Sequence, residues 1–233
     1  MKKITKTKEP QIHFAALAAD TALFTLENNE LLVRLIRVNR PPHIKDAIGL
    51  PGGLLLPKET ADEAALRHLE SKTDVSNKGV YIEQLYTFSD INRDPRNRVV
   101  AVAYMALIPW KELSENEQLG NITKSWWVPV KKLPKLAYDH NKIMEVALRR
   151  LASKIGYTTI IKKLLPREFT LIELEHAYET ILGEKIDRRN FRKKIKKLKL
   201  VVSLDKKIRG FKWRPAMLYS FKSNKVEHTP NIT

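Results

Sequence analysis

The chain has 233 residues, 43% of them hydrophobic, enough for one large domain or two modest ones with ordinary cores. It contains no cysteine, which excludes disulfides, cysteine nucleophiles and thiolate metal sites and fits a reducing cytoplasm. The formal charge is +17 and unevenly spread: residues 151–233 hold 20 Lys+Arg against 8 Asp+Glu, residues 1–150 hold 23 against 18. Such asymmetry favours a polyanion-binding module joined to a near-balanced domain, the alternative being a solvated basic surface.

The N-terminus, MKKITKTKEP, is basic, but the Ala-rich run after it is interrupted by Asp20 and Thr21. Its longest clean apolar stretch, Phe14 to Ala19, is far short of a membrane span, so the segment reads as a frayed end leading into a strand rather than a signal peptide. Residues 12–38 read as a hairpin turning at Glu27-Asn28-Asn29-Glu30. Pro41-Pro42 opens a loop, and Leu50-Pro51-Gly52-Gly53 is a sharp turn. A helix follows over about Thr60 to Thr73, with Thr60 and Glu63 at capping-box spacing. Tyr81–Thr87, Val99–Leu107 and Trp126-Trp127-Val128 are further strands, with the polar loop SDINRDPRNR between the first two. Trp126 and Trp127 point to opposite faces, so at least one is core or interface. An amphipathic helix is expected from about Asn141 to Ile155, ending at Gly156. Strands flanking two helices give an α/β sandwich over residues 1–150.

The last third changes character. Thr170 and Glu173 form a second capping-box pair, Gly183 sits where a helix C-cap glycine would, and Asp187 caps another helix. In that helix Phe191, Ile195 and Leu198 make a narrow apolar stripe, while Arg188, Arg189, Arg192, Lys193, Lys194, Lys196, Lys197 and Lys199 fill the other faces. Leu200–Leu204 and Met217–Phe221 follow as a β-hairpin with a basic tip, completing a winged helix. The division falls near Gly156–Tyr157, giving residues 1–156 and 157–233. A helix that packs by one stripe and presents cations elsewhere suits the DNA major groove, N-terminal residues nearest the base edges. Arg188, Arg189 and Asn190 stand there, where Arg can read guanine and Asn adenine. Lys193, Lys196 and Lys197 are placed for phosphates; Arg192 and the capping residue Thr170 are further expected DNA-binding residues. In the wing, Arg209, Lys212 and Arg214 can reach backbone or minor groove.

Gly53 to Val75, GLLLPKETADEAALRHLESKTDV, resembles the Nudix box, G-x5-E-x7-R-E-U-x-E-E-x-G-U with U aliphatic. Gly53, Glu59, Arg67, Leu69 and Val75 are in register. The three helix glutamates are replaced by His68, Ser71 and Lys72, and the late glycine by Asp74. Nudix hydrolases cleave pyrophosphates with Mg²⁺ or Mn²⁺, which want several oxygen ligands and activate a water. Helix carboxylates at i, i+3 and i+4 can converge on one ion. Here Ser71 is a poor ligand and Lys72 sets a positive charge where the ion would sit, so no catalytic residue, no metal and no cofactor is expected.

Beyond the box, the chain resembles the Nudix-related transcriptional regulators, in particular the regulators of NAD metabolism of the NrtR type. The resemblance runs through LPGG (Leu50–Gly53), LYTFSDINRDPRNRVVAVAYMALIP (Leu85–Pro109), LAYDH (Leu136–His140), FTLIELEHAYETILG (Phe169–Gly183), RRNFRKKI (Arg188–Ile195) and RPAMLY (Arg214–Tyr219). It implies an α+β chain: an N-terminal Nudix-like α/β/α sandwich that senses a ligand, and a C-terminal winged helix-turn-helix that binds double-stranded operator DNA as a homodimer. The expected function is a cytoplasmic repressor of NAD-metabolism genes responsive to ADP-ribose or a related nucleotide, with no membrane attachment. Sister groups with this architecture respond to sugars such as arabinose. The implied ligand contacts are the backbone of Pro51, Gly52 and Gly53, the guanidinium groups of Arg37, Arg40, Arg93 and Arg96, a stacking Tyr86 with Phe88, and Asp139 and His140 at the rim.

Other readings exist for several of these. Asp139 can cap the long helix and His140 can be a surface residue at its start. Arg96 and Arg98 can pair internally with Asp90 or Asp94, and Tyr86 and Phe88 can be core. At the level of the whole chain, the alternatives are an ADP-ribose hydrolase with a nucleic-acid-binding tail and an RNA-binding protein, the latter disfavoured because side chains cannot read the deep groove of A-form RNA.

Overall fold

The computed structural model describes residues 14–208 and 215–232. The chain opens with β1 (Ala16–Glu27) and β2 (Glu30–Arg40), a hairpin whose turn residues Asn28 and Asn29 have φ of 49° and 60°. Asparagine tolerates that left-handed geometry, and two such residues match the twist of the strands they join. β3 (Ile44–Gly49) and β4 (Gly52–Leu54) follow, then α1 (Ala61–Thr73), whose N-cap is Thr60 in a full capping box with Glu63. Asp74, which replaces the late glycine, takes the left-handed C-cap conformation at φ 59° and forms an ion pair with Lys124. β5 (Tyr81–Phe88) and β6 (Val99–Leu107) lead through a short helix α2 (Glu115–Leu119) to β7 (Ser125–Pro129).

One sheet runs β3-β2-β1-β6-β5, with β4 also on β1 and β7 on β2. β1 and β6 are parallel, from Ala16 opposite Val99 to Phe24 opposite Leu107. Side chains alternate across this central pair, as the pleat requires. Ala19, Leu23, Tyr104 and Ala106 pack towards Ala64, Ala65 and Leu69 of α1. Ala22, Phe24, Ala103, Met105 and Leu107 join the cluster of α3 (His140–Tyr157), which holds Ile143, Met144, Ala147 and Leu151. The sandwich expected from sequence is therefore present, one helix on each face.

Both tryptophans of β7 are partly buried: Trp127 packs on Trp110 under the guanidinium of Arg34, and Trp126 lies beneath that of Arg37. Arg34 is 1% exposed and donates 2.9 Å hydrogen bonds to the Thr73 and Glu117 carbonyls, satisfying helix-end acceptors of α1 and α2.

α3 does not end at Gly156. It continues to Tyr157, because residues near the C-terminus bind its last carbonyls: Ile232 N–H donates to Gly156 O at 2.7 Å and Thr229 N–H to Tyr157 O at 2.8 Å. With those acceptors satisfied, no left-handed glycine cap is needed.

After a turn at residues 160–163 come β8 (Phe169–Thr170), α4 (Leu171–Leu182), α5 (Arg188–Lys197), β9 (Val201–Ile208) and β10 (Ala216–Phe221), with a second sheet ordered β8-β10-β9. Thr170 caps α4 in a capping box with Glu173, Gly183 at φ 75° ends it, and the Asp187 carboxylate caps α5 by accepting from Arg189 N and Asn190 N. This is a winged helix. It is not tethered loosely: Ile155, Ile160, Leu164, Phe169, Leu174, Tyr178, Phe191 and Ile195 belong to the same apolar cluster as α3 and β1. Among the described residues, no helix is long and apolar enough to cross a membrane.

Candidate functional site: a cationic cleft and a basic helix

A cleft of about 580 Å³ opens beside the β1–β4 edge. Arg37 and Arg40 of β2, Gly52 and Gly53 of β4, and His68, Ser71 and Lys72 of α1 line it. Asp20 of β1, the loop residues Arg93, Asp94 and Arg96, and Tyr138 and His140 complete the wall.

Beneath the wall is a buried charge network. Arg93 is 3% exposed at its side chain; its Nη2 donates to Asp20 Oδ2 at 3.0 Å, and Nε and Nη2 donate to the two Asp139 oxygens at 3.1 and 2.7 Å. His140 Nε2 lies 3.7 Å from Asp20, and His140 Nδ1 accepts from Leu50 N–H at 2.9 Å. Burial alone would push the Asp20 carboxyl up, but His140 and Arg93 outweigh it and hold its pKa below the ordinary value. Arg93, expected as a ligand contact, lines the cleft with its guanidinium already engaged by two carboxylates. Asp139 stands at the N-cap of α3 without capping it and does not line the cleft, because Arg93 holds its carboxylate. His140 is buried, not a surface residue. The first N–H of the LPGG turn, that of Leu50, is already bound to His140 and is not open to a phosphate.

The cations fall into two groups. Arg96 chelates Asp94 through Nε at 3.0 Å and Nη2 at 2.7 Å, the internal pairing considered from sequence, with its guanidinium 5.8 Å over the Tyr138 ring. Arg98 donates to the Ser89 and Asp90 carbonyls. Arg37, Arg40 and Lys72 have no carboxylate partner among the described residues: Arg37 and Arg40 donate to backbone carbonyls, and Lys72 to the Gly52 carbonyl. The Lys72 pKa lies below the ordinary lysine value, first through burial and then through Arg40, with Arg67 and Arg96 adding to it against a partly offsetting Asp20. An anion entering here meets three cations that pair directly with no carboxylate among the described residues, Asp20 offsetting Lys72 only in part.

The Nudix-box anchors are structural. Arg67 pairs with Glu59 and, mainly through that hydrogen bond, draws the Glu59 carboxyl down to about 2. Glu63 is occupied by the Thr60 cap. At the glutamate positions, His68 Nε2 lies 3.0 Å from the Leu54 carbonyl and its pKa is lowered, first by burial. Lys72 places its ammonium on Gly52 O, and Ser71 supplies one neutral hydroxyl. A hard divalent cation wants clustered carboxylates, and this donor set does not fit one.

Gly52 has no room for a side chain: a Cβ there meets Asp20 Oδ1 at 2.1 Å and the Ala19 carbonyl at 2.6 Å. Gly52→Ala is expected to lower stability by about 1–3 kcal/mol, the range for overpacking, measured as a shift in the urea midpoint. An unchanged midpoint would mean that β4 moves away from β1 freely.

Besides Asp139, two expected ligand residues do not line the cleft. Tyr86 is 62% exposed on β5, the edge strand separated from β1 by β6, and packs edge-on against Phe88, which is core. Pro51 is buried, and its carbonyl accepts from Thr21 N–H at 2.8 Å. Conversely, Tyr138 was not singled out from sequence, yet it lines the cleft with a left-handed backbone at φ 55°, unusual for an aromatic residue and typical of functional sites. Asp20 was seen only as a break in an Ala-rich run; an acid inside an apolar strand was the available signal.

On α5, Phe191 and Ile195 are buried against Tyr178 and its neighbours. Arg192 donates to both oxygens of Glu175, a residue of α4 with 0% exposure, and Arg188 Nε lies 3.8 Å from Glu175 and its Nη2 3.5 Å from Glu179. The Asn190 amide donates to Asp187 at 2.7 Å. Arg189, Lys193, Lys196 and Lys197 are exposed. Thr170 is 9% exposed, and its hydroxyl is engaged in the α4 cap. Arg209, Lys212 and Arg214 lie outside the described residues.

A two-helix sandwich around a degenerate Nudix box, fused through its last helix to a winged helix, defines a Nudix-type domain serving a nucleic-acid-binding module. The NUDIX domain model matches residues 17–157, and the model of the NrtR DNA-binding winged helix domain matches residues 161–221. Among relatives, the ADPR responsive transcriptional repressor NtrR of Acinetobacter baylyi is 34% identical over 210 residues, covering 88% of this chain and 81% of that protein. The crystal structure of Shewanella oneidensis NrtR complexed with a 27mer DNA superposes with a TM-score of 0.76 at 34% identity, over 88% of this chain and 93% of that one. An ADP-ribose pyrophosphatase of Methanocaldococcus jannaschii is 28% identical over 151 residues, covering 64% of this chain and 84% of that enzyme. The chain belongs to the NrtR family of Nudix-domain transcriptional regulators.

Proposed function

We propose that the chain is a repressor of NAD-metabolism genes that binds double-stranded operator DNA as a homodimer and is controlled by ADP-ribose in the Nudix-type cleft, without hydrolysing it. The observation that carries this is the cleft: Arg37, Arg40 and Lys72 present charge suited to a diphosphate, while His68, Ser71 and Lys72 stand where an enzyme needs carboxylates. Support for the effector and the DNA comes from the Acinetobacter repressor named for its response to ADPR and the Shewanella structure on DNA. A ligand that binds the DNA-competent and DNA-incompetent states unequally shifts the population between them, and DNA must then weaken the ligand to the same degree.

The test is fluorescence anisotropy of the full chain on DNA from upstream of its own gene, titrated with ADP-ribose and, in parallel, arabinose. Specific binding is expected, and ADP-ribose alone is expected to abolish it. Loss with arabinose alone moves the effector to a sugar; absence of any preference over random duplex overturns the repressor reading. AMP release from ADP-ribose that depends on Mg²⁺ and stops with chelator restores the hydrolase reading, which the similarity to the pyrophosphatase keeps in view.

A further inference from the structure

We propose that Arg189 is the guanidinium of α5 that reads base edges, and that Arg188 and Arg192, which carry the same group, instead fix the helix on α4; this rests on the DNA-binding reading above. Successive helix residues advance about 100°. Phe191 and Ile195, the buried stripe, define the inward direction of α5. Arg188 and Arg192, four apart, share a flank beside that stripe, and on that flank lies the fully buried Glu175. The Arg192 Nη2 to Glu175 Oε2 distance is 3.1 Å, with Nε on the other oxygen, so the fork geometry that could grasp a guanine already grasps a carboxylate. Arg188 is shared between Glu175 and Glu179. The Asn190 amide is held by Asp187.

Directly opposite the buried stripe stand Arg189 and Lys193, four apart, with Lys196 and Lys197 one turn further along. All four are exposed, and none has a side-chain partner among the described residues. Within that outward face Arg189 is the only planar fork, and it is the second residue of the helix, the end that meets base edges in helix-turn-helix docking. The three lysines behind it are compact charges suited to phosphates. The pair Glu175–Arg192 adds to the Phe191–Ile195 stripe in fixing the roll of α5 about its axis.

The experiment is selection from a randomised duplex pool with the full chain, followed by anisotropy on the selected duplex and on random duplex, for wild type, Arg189→Lys and Arg192→Lys. Arg189→Lys keeps the charge and removes the fork. It is expected to reduce the specific-to-random affinity ratio about tenfold or more, the scale of one bidentate arginine–guanine pair. Random-duplex binding is expected to hold within about threefold, since phosphate attraction follows charge, and the selected sequence to lose its preference for guanine at one position of each half-site. Arg192→Lys, which still neutralises Glu175, is expected to keep the ratio. Retention of the ratio in Arg189→Lys, or its loss in Arg192→Lys with α5 still folded by circular dichroism, overturns the assignment. A wild type that enriches no sequence overturns the DNA-reading function itself, which separates the two failures.

Discussion

Arg93→Ala is expected to lower stability by about 3–5 kcal/mol, the cost of stranding buried charge, read as a fall in the urea midpoint. The size follows from what remains. Asp20 and Asp139 are 6% and 9% exposed, and Arg93 is the strong donor to both. Without it, His140 faces Asp20 at 3.7 Å and nothing described faces Asp139 with a positive charge. The loss also has a pH signature. The folded pKa of Asp20 is held below its ordinary 3.8, first against burial and then by His140 and Arg93. A depressed carboxylate pKa contributes stability that is present above about pH 4 and disappears as pH falls through the folded value. The difference between wild type and Arg93→Ala should therefore be largest near neutrality and shrink below pH 4. A difference under about 1 kcal/mol, independent of pH, would mean that water reaches the network and screens it.

Arg192→Ala is expected to cost about 2–3 kcal/mol, less than a fully enclosed pair because the arginine side chain is 44% exposed and partly screened. Its partner behaves differently. Glu175→Leu leaves two arginines that can turn to water, and an apolar residue of similar volume inside the α4–α5 contact costs little. The two variants should thus be unequal, with the arginine deletion the worse, in parallel urea titrations. Equal losses would place the stabilisation in the pair itself rather than in the desolvated carboxylate.

These two networks mark where reading the sequence stopped. Helix caps were legible because they are local: Thr60 with Glu63, Thr170 with Glu173, and Asp187 with the amides of Arg189 and Asn190 each lie within three residues. The alternation along β1 and β6 and the Asn28-Asn29 turn were legible for the same reason. Arg93 was read as a ligand contact from the family-like NRDPR loop in which it stands; the acids that hold it are 73 and 46 residues away in sequence and meet it only after the sheet has formed. Arg192 left a faint signal. Glu175 and Glu179 recur at i and i+4 on one helix, and Arg188 and Arg192 recur at the same spacing on the next, which is the pattern of two facing flanks. Tyr86 does not line the cleft because strand order, invisible in sequence, sets β5 at the sheet edge beyond β6. Tyr138 was missed because nothing in the letters LAYDH announces a left-handed tyrosine.

The apolar cluster that runs unbroken from Phe24 and Ala147 to Leu174 and Phe191 has a consequence for how this chain can be divided or inherited. A cut between residues 157 and 160 would not release two modules; it would bare the mating faces of Ile155 and Tyr178, whose hydroxyl donates to the Ile155 carbonyl at 3.2 Å. Nor could a foreign winged helix be grafted behind α3 without repacking that face. The sensor and the reader must therefore drift together, each constraining the other's buried residues, and a change tolerated in one half has to be tolerated by the shared interior of both.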